Sequence, residues 1–403
     1  MKKKNKKKWL KFRHKIVRNL AYWVLYPYSM LKYGIKIDKF KEQGKRAYLI
    51  LFNHQTAFDQ FFVGCSFKGP VYYVASEDLF SKGWVSALIR FIVAPIPIKK
   101  QSTDVSAVMN CIRVAKEGGT IAMAPEGNRT YSGATGYMNP AIAPLARKLK
   151  LPIAIYRIEG GYGVHPRWSD VVRKGKMHSY VSRVIEPEEI AALNNEQLYE
   201  LIQKELYVNE GVADACFVSD KKAEYLERAM YVCPDCGLSE FYSNANEIEC
   251  KKCRKKIEYR EDKSLRGVGF DFQFNFVKDW YDYQCDFINK LDVMQYTDTP
   301  IYRDTASVSQ IFVYKGRKLL FENAQLDLYG DKFVVTAPDG TIINMSFDDV
   351  SAVSVLGRNK LNVYYKDKLY QFKSDKRFNA LKYVNIYFRY KNKDDENNNF
   401  LGI

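Results

Sequence analysis

The chain is short of several residue types. Of its 403 residues only 8 are cysteine, which excludes a disulfide scaffold, and only 4 are histidine, which leaves few candidates for acid–base work. With 13 Pro and 23 Gly it is neither collagenous nor linker-dominated. Near the N-terminus acidic residues nearly vanish: residues 1–46 hold Asp38 and Glu42 against 13 Lys and 3 Arg, so this stretch carries +14 of the net +17. The remainder is close to neutral. The charge-free run Asn19–Leu31 is 13 residues long, short of the ~20 needed to cross a bilayer as a helix.

What is present allows real cores: 47% of residues are apolar and 27% charged. At roughly 100–200 residues per domain, two to four domains are expected. A basic excess asks for an anionic partner, whether nucleic acid, an anionic membrane or a phosphorylated substrate. Residues 1–46 combine Lys2, Lys3, Lys4, Lys6, Lys7 and Lys8 with Trp9, Tyr22, Trp23, Tyr26 and Tyr28. Cations flanking an aromatic-rich stretch suit a segment lying in the interface of an anionic leaflet. A solvated basic tail, or one that binds nucleic acid, is the alternative.

From residue 47 to about 187, short apolar runs alternate with helix-like segments, a pattern that predicts an α/β layer around a parallel or mixed sheet. Residues 188–207 read as one helix closing this domain, 271–291 as an amphipathic helix, and 375–390 as a final helix. Between residues 306 and 372 the pattern changes to seven or eight short strands separated by turn signals. The expected organisation is multidomain. It comprises a basic interfacial segment (1–46), an α/β domain (47–215), a cysteine module (216–262), a helix and linker (263–305), a β domain (306–392) and a disordered tail (393–403).

His14 reads as a solvated residue of the basic tail and His178 as structural, while His165 follows a glycine-rich loop that could carry it to a site. His54 differs in its neighbours. The run Asn53-His54-Gln55-Thr56-Ala57-Phe58-Asp59 puts a carboxylate five residues after the imidazole, at the start of the next helix. There it can orient the ring and stabilise its cationic form, so that the imidazole acts as a general base. Seventy-two residues after His54 a second strand ends in Pro125-Glu126-Gly127-Asn128-Arg129-Thr130. Glycine allows close backbone approach to a phosphate, and an arginine forks onto two of its oxygens.

The order and spacing of these two motifs resemble the glycerolipid acyltransferase family, the PlsC-like 1-acylglycerol-3-phosphate O-acyltransferases, over about residues 30–210. That family has N-H-x4-D followed by P-E-G-T-R-S. Its third element, I-P-V-D-R, is matched by Ile96-Pro97-Ile98-Lys99-Lys100 with Lys100 in place of Arg, and its fourth partly by Leu151–Ile155. The resemblance implies transfer of an acyl group from acyl carrier protein or acyl-CoA to the hydroxyl of a lysolipid acceptor. It makes His54 and Asp59 catalytic, with Lys100, Glu126, Gly127, Asn128 and Arg129 holding the acceptor's glycerol phosphate. The expected acceptor is lysophosphatidate, giving phosphatidate, or a related lysolipid; Asn128, Lys100 and Ile155 stand where the family has Thr, Arg and Pro, which leaves the headgroup open between the two.

Cys233-Pro234-Asp235-Cys236-Gly237 and Cys250-Lys251-Lys252-Cys253 form C-x2-C-x13-C-x2-C. Two knuckles supplying four thiolates predict one structural Zn2+ and resemble a zinc ribbon. The adjacent Lys251–Lys256 cations could touch nucleic acid, although such a run is more often a solvated face. The C-terminal strands closed by one helix resemble a PH-like or GRAM-like β-barrel. Together these readings predict a peripheral enzyme at the cytoplasmic face of the cell membrane, with the anionic membrane surface as partner and nucleic acid not expected. The rivals are a zinc-ribbon nucleic-acid-binding protein and an inactive lipid-binding scaffold.

Overall fold

The structure is a computed structural model and describes residues 8–42, 45–81, 83–98, 104–213, 215–313, 315–395 and 398–402. The chain divides into two compact units. The first comprises residues up to Thr130, Thr135–Val164 and Lys174–Asn209; the second takes Tyr131–Ala134, His165–Arg173 and everything from Glu210.

The first unit runs α1 (Phe12–Tyr33), β1 (Ile35–Ile37), β2 (Leu49–Phe52), α2 (Asp59–Ser66), β3 (Val71–Ser76), α3 (Trp84–Ile92), β4 (Ile96–Ile98), α4 (Val105–Lys116), β5 (Thr120–Met123), α5 (Ile142–Leu149), β6 (Ile153–Glu159), α6 (Gly161–Val164), β7 (Met177–Ile185), α7 (Pro187–Ala192) and α8 (Asn195–Leu206). Its seven strands form one mixed sheet in the order β1-β7-β6-β2-β5-β3-β4, parallel throughout except for β6 against β7. The central strands are apolar on both faces: Leu49, Ile50, Leu51, Ile121, Ala122, Ile153, Ala154 and Ile155 are all buried. That is the signature of a sheet covered by helices on both sides.

The N-terminal segment is part of this unit rather than a separate appendage. Trp9 and Leu10 pack against the core, their backbone N–H groups donate to the Glu117 carboxylate, and β1 adds an edge to the sheet. The Lys-rich run up to Lys7 lies outside the described residues. His14 is not solvated: it is 2% exposed, with Nδ1 3.0 Å from the Tyr72 hydroxyl. Burial, with Arg13 and Lys11 adding to it, lowers its pKa.

The outer face of α1 exposes Phe12, Ile16, Leu20, Trp23, Val24 and Leu31, and α3 exposes Trp84, Leu88 and Phe91. Both spacings follow the helical period, so each helix presents an apolar stripe. The Arg13 guanidinium joins the two helices, lying 3.9 Å over the Phe91 ring while its Nε donates to the Phe91 carbonyl at 2.7 Å. Among the described residues no helix is long and apolar enough to cross a membrane.

The single helix expected over 188–207 is two helices. Leu193 and Asn194 are extended, and the Asn194 side chain caps α8 in a reciprocal box with Gln197.

The second unit contains β8 (Val232–Cys233), β9 (Gly237–Leu238), β10 (Phe241–Asn244), β11 (Glu247–Cys250), β12 (Lys256–Tyr259), β13 (Leu265–Gly267), α9 (Val277–Lys290), β14 (Tyr302–Phe312), β15 (Gly316–Leu328), β16 (Lys332–Thr336), β17 (Ile342–Ser346), β18 (Val350–Leu356), β19 (Lys360–Tyr365), β20 (Lys368–Lys373) and α10 (Leu381–Lys391). Strands β8 and β9 form a small hairpin and β10 to β13 an antiparallel sheet. The helix expected from residue 271 begins only at Val277. The preceding Phe270, Phe272, Phe274 and Phe276 alternate with polar residues, a period-2 pattern that keeps the chain extended while Phe272 packs on Trp280 and Phe274 on Tyr283.

The last strands form one antiparallel sheet, β17-β16-β15-β14-β20-β19-β18. Its edge strands β17 and β18 are consecutive in sequence and joined through Phe347-Asp348-Asp349, so the sheet curls until its edges come within roughly 13 Å. Helix α10 fills the curve, with Tyr387 donating to the Val350 carbonyl and Tyr390 to Asp348. The tail is not wholly loose. Leu401 is buried, and Asn385 and Asn392 donate to the carbonyls of Leu401 and Phe400.

Candidate active site

Strand β2 ends at Phe52, and Asn53 continues its pairing through its side chain. The amide donates to the Ile158 carbonyl at 2.8 Å, and the Ile158 N–H returns a bond of 2.8 Å to Asn53 Oδ1. Asn53 is fully buried, so both bonds are shielded from water and fix where His54 leaves the sheet.

His54 then makes three contacts that define it. Its Nδ1 lies 2.8 Å from Asp59 Oδ2, its backbone N–H donates to Glu126 Oε1 at 2.7 Å, and its carbonyl accepts from the Thr130 N–H at 3.1 Å. The His54 main chain therefore clamps the two motifs together.

Asp59 is fully buried at the first residue of α2. It accepts from the N–H groups of Gln55 (2.7 Å) and Thr56 (2.9 Å) and from the Thr56 hydroxyl (2.7 Å), besides facing His54. A carboxylate already taking three donors accepts rather than donates toward the imidazole. Nδ1 therefore carries the hydrogen and Nε2 the lone pair, which is the tautomer a general base needs. A buried carboxylate in this position would also stabilise an imidazolium at His54. Asn53 and Thr56, which hold this geometry, were legible only as motif neighbours of His54.

Glu126 anchors the second loop. Besides accepting from His54, its carboxyl accepts from the Gly136 N–H at 2.9 Å. Burial pushes its pKa up to about 8, with the nearby Asp59 charge adding to the rise and the two N–H bonds working against it. Both oxygens face protein N–H groups, so Glu126 shapes the loop. Gly127 turns the chain with φ of 66°, a conformation that side chains rarely adopt. Asn128 is partly exposed and Arg129 buried within the same loop. Lys100 lies outside the described residues.

The glycine-rich segment after β6 is buried, not a loose arm. A Cβ on Gly161 would lie 2.6 Å from Gln55 Cβ, so only glycine lets this backbone pack against the His54 loop. His165 is buried in the second unit, its Nε2 2.7 Å from Arg358. His178 stands on β7, with Nε2 2.8 Å from Asp38.

In the second unit the Sγ atoms of Cys233, Cys236, Cys250 and Cys253 all lie within 4.8 Å of one another, and Cys233 and Cys253 are 3.8 Å apart. Four thiolates at ~2.3 Å from a tetrahedral zinc would stand about 3.8 Å apart, so the cluster fits a metal ion of that kind. Its first knuckle is held firmly: Trp280 donates to the Val232 carbonyl, and the Gln284 carbonyl oxygen accepts from the N–H groups of Tyr231 and Val232. The neighbouring cations are internally paired, Lys251 with Glu240, Arg254 with Glu249, Lys255 with Asp235 and Lys256 with Glu247.

No curated protein matches the chain. Among solved structures it is similar to the 1-acyl-sn-glycerophosphate (LPA) acyltransferase PlsC from Thermotoga maritima. The two share 18% identity at a TM-score of 0.40, covering 47% of this chain and 77% of that one. The sequence model of the Acyltransferase family matches residues 35–158, a span that holds His54, Asp59 and the whole 126–130 loop.

Proposed function

We propose that the protein transfers a fatty acyl group from a thioester to the hydroxyl of a lysophospholipid-type acceptor, with His54 as general base. The observation that carries this reading is the buried Asp59 carboxylate 2.8 Å from His54 Nδ1, beside a loop that the His54 main chain itself secures. In this reading Nε2 takes the acceptor's hydroxyl proton as its oxygen attacks the thioester carbonyl. The tetrahedral intermediate collapses, the C–S bond breaks, and the proton passes from the imidazolium to the departing thiolate. Arg129, Asn128 and the Gly127 backbone, with Lys100, would hold the acceptor's phosphate. The donor would be acyl carrier protein or acyl-CoA.

The exposed stripes of α1 and α3 support a peripheral attachment at the cytoplasmic face of the cell membrane. The interspersed Lys11, Arg13, Lys15 and Lys32 suit an anionic leaflet. The four thiols support one structural Zn2+; with all four positions filled by protein, it would have no open site for chemistry. The curled sheet with its plugging helix supports a PH-like reading of residues 306–392. Pairing of the knuckle cations argues against nucleic-acid binding there, since those charges already have partners.

The test is incubation with labelled acyl thioesters and a panel of lysolipids, with products read by mass. A diacyl product is expected from the native chain and at least ~10²-fold less from His54→Ala, the low end of a general base's contribution. Full activity in His54→Ala would overturn the mechanism, and no product with any pair would favour a lipid-binding scaffold.

A further inference from the structure

Two segments that flank His54 continue by peptide bonds into the second unit. The loop after β5 bonds to His54 as far as Thr130, and the next residues, Tyr131–Ala134, belong to the second unit. After β6, Gly161 packs against Gln55, and from His165 to Arg173 the chain again belongs to the second unit. Within that unit the two excursions meet. The Arg167 guanidinium lies 4.3 Å over the centroid of the Tyr131 ring, and Tyr281 of α9 stacks on Tyr131 at 6.4 Å with the planes 10° apart. Tyr131 is 2% exposed, yet its hydroxyl meets no hydrogen-bond partner among the described residues. The ring, not the hydroxyl, is what these neighbours hold. The excursions are anchored in turn. Arg228 donates to the Trp168 carbonyl at 2.9 Å and to Asp170 at 2.9 Å, and the Gly133 carbonyl accepts from the Glu210 N–H at 2.9 Å.

We infer that Tyr131, gripped by Arg167 and Tyr281, is a positioning residue for acceptor binding, acting through Arg129. The inference rests on the acyl-transfer reading above. Glu126 pins one end of the loop through its bonds from His54 and Gly136, and Tyr131 pins the other. Gly127, Asn128 and Arg129, assigned above to the acceptor's phosphate, lie between these two pins, and Arg129 is two residues from Tyr131. Consecutive Cα atoms stand about 3.8 Å apart, so slack at Tyr131 moves Arg129 by an appreciable part of that length. Misplacing a substrate-positioning group by about 1 Å can cost about 10²-fold. Proton transfer is insulated from this grip, because the His54 imidazole is oriented by Asp59 at the start of α2. Loosening Tyr131 therefore weakens the hold on the acceptor and leaves the base in place.

The test uses the full chain with labelled acyl-CoA and a dispersed short-chain lysophosphatidate. Shielded aromatic and cation–π contacts are each worth roughly 2- to 30-fold in an equilibrium, so Tyr281→Ala should raise KM for the acceptor about tenfold. KM for acyl-CoA and kcat at saturating acceptor should stay within about twofold of native, the pattern of lost binding rather than lost chemistry. Tyr281→Phe keeps the ring and should restore the native acceptor KM. Arg167→Lys keeps the charge but loses the plane that stacks, and should act as Tyr281→Ala does. Without substrate, hydrogen exchange of residues 127–131 should quicken in both variants by about fivefold or more, while α2 exchanges at the native rate. Where Tyr281→Ala unfolds the second unit, seen as fast exchange throughout α9, Arg167→Lys decides alone. Native exchange at 127–131 overturns the inference. So do equal rises in both KM values, or a fall in kcat with the acceptor KM unchanged. Absence of product from the native chain speaks against the reading at His54 instead, and the exchange measurement still decides whether the grip on Tyr131 sets the loop.

Discussion

Replacing Asp59 by Asn isolates the charge from the shape. The carboxylate takes four donors: His54 Nδ1–H, the N–H groups of Gln55 and Thr56, and the Thr56 hydroxyl. Asparagine offers one oxygen. If that oxygen keeps the two Thr56 donors, the amide NH2 faces His54 Nδ1 and the Gln55 N–H, and two donors oppose two donors. The imidazole then relieves the conflict by moving its hydrogen to Nε2, which removes the lone pair that accepts the substrate proton. An inverted tautomer of this kind costs about 10⁴ in kcat in a Ser-His-Asp triad. A fall of about 10³–10⁴ in kcat is expected here, with KM for the acceptor little changed. The Gln55 N–H left buried without an acceptor adds about 1–3 kcal/mol of destabilisation. The assay is initial rate with a labelled acyl thioester, for Asp59→Asn, His54→Ala and the double variant. If Asp59 acts through His54, adding Asp59→Asn to His54→Ala should cost almost nothing further. Additive losses, or a single Asp59→Asn variant within threefold of native, would refute the argument.

Three further outcomes are expected. Trp23→Ser combined with Trp84→Ser removes two side chains that are each 76% exposed, and should lower sedimentation with anionic vesicles about tenfold or more while leaving the melting temperature unchanged. One equivalent of zinc should be found by elemental analysis. Cys233→Ser should lose it and destabilise the second unit beyond the knuckle, because Trp280 and Gln284 are bonded to that strand. Glu126 binds its proton more tightly folded, with a pKa near 8, than unfolded. Between about pH 4.5 and 8 the unfolded chain sheds that proton first, so this group's contribution to stability falls as pH rises. Urea midpoints across that window should therefore decline less steeply in Glu126→Gln than in the native chain.

What the sequence disclosed was chemistry written locally. His54 and Asp59 are five residues apart, and each cysteine pair is a single knuckle, so motif and site nearly coincide. What stayed hidden was whatever depends on distant partners. His14 sits among cations and reads as solvated, yet Tyr72, 58 residues away, supplies the bond that buries it. The exposed stripe Trp84, Leu88 and Phe91 of α3 says little in sequence until Arg13 is seen lying over Phe91. Strand β1 is three residues long and owes its pairing to β7, too short to leave a period in the sequence.

The position of His54 follows from topology more than from its motif. Strand β2 lies between β6 and β5, and all three run parallel. Their C-terminal ends point the same way, so whatever follows each strand must meet at one rim, where sites in open α/β sheets form. After β5 comes the 126–130 loop, which takes both the N–H and the carbonyl of His54. After β6 comes Gly161, packed on Gln55. Asn53 spends its side chain pairing with Ile158, so the ladder ends one residue before His54 and leaves that residue's backbone for the loop. Segments 72 and 107 residues downstream of His54 thus become its neighbours through strand order alone, and the histidine had to follow a central strand for both to reach it.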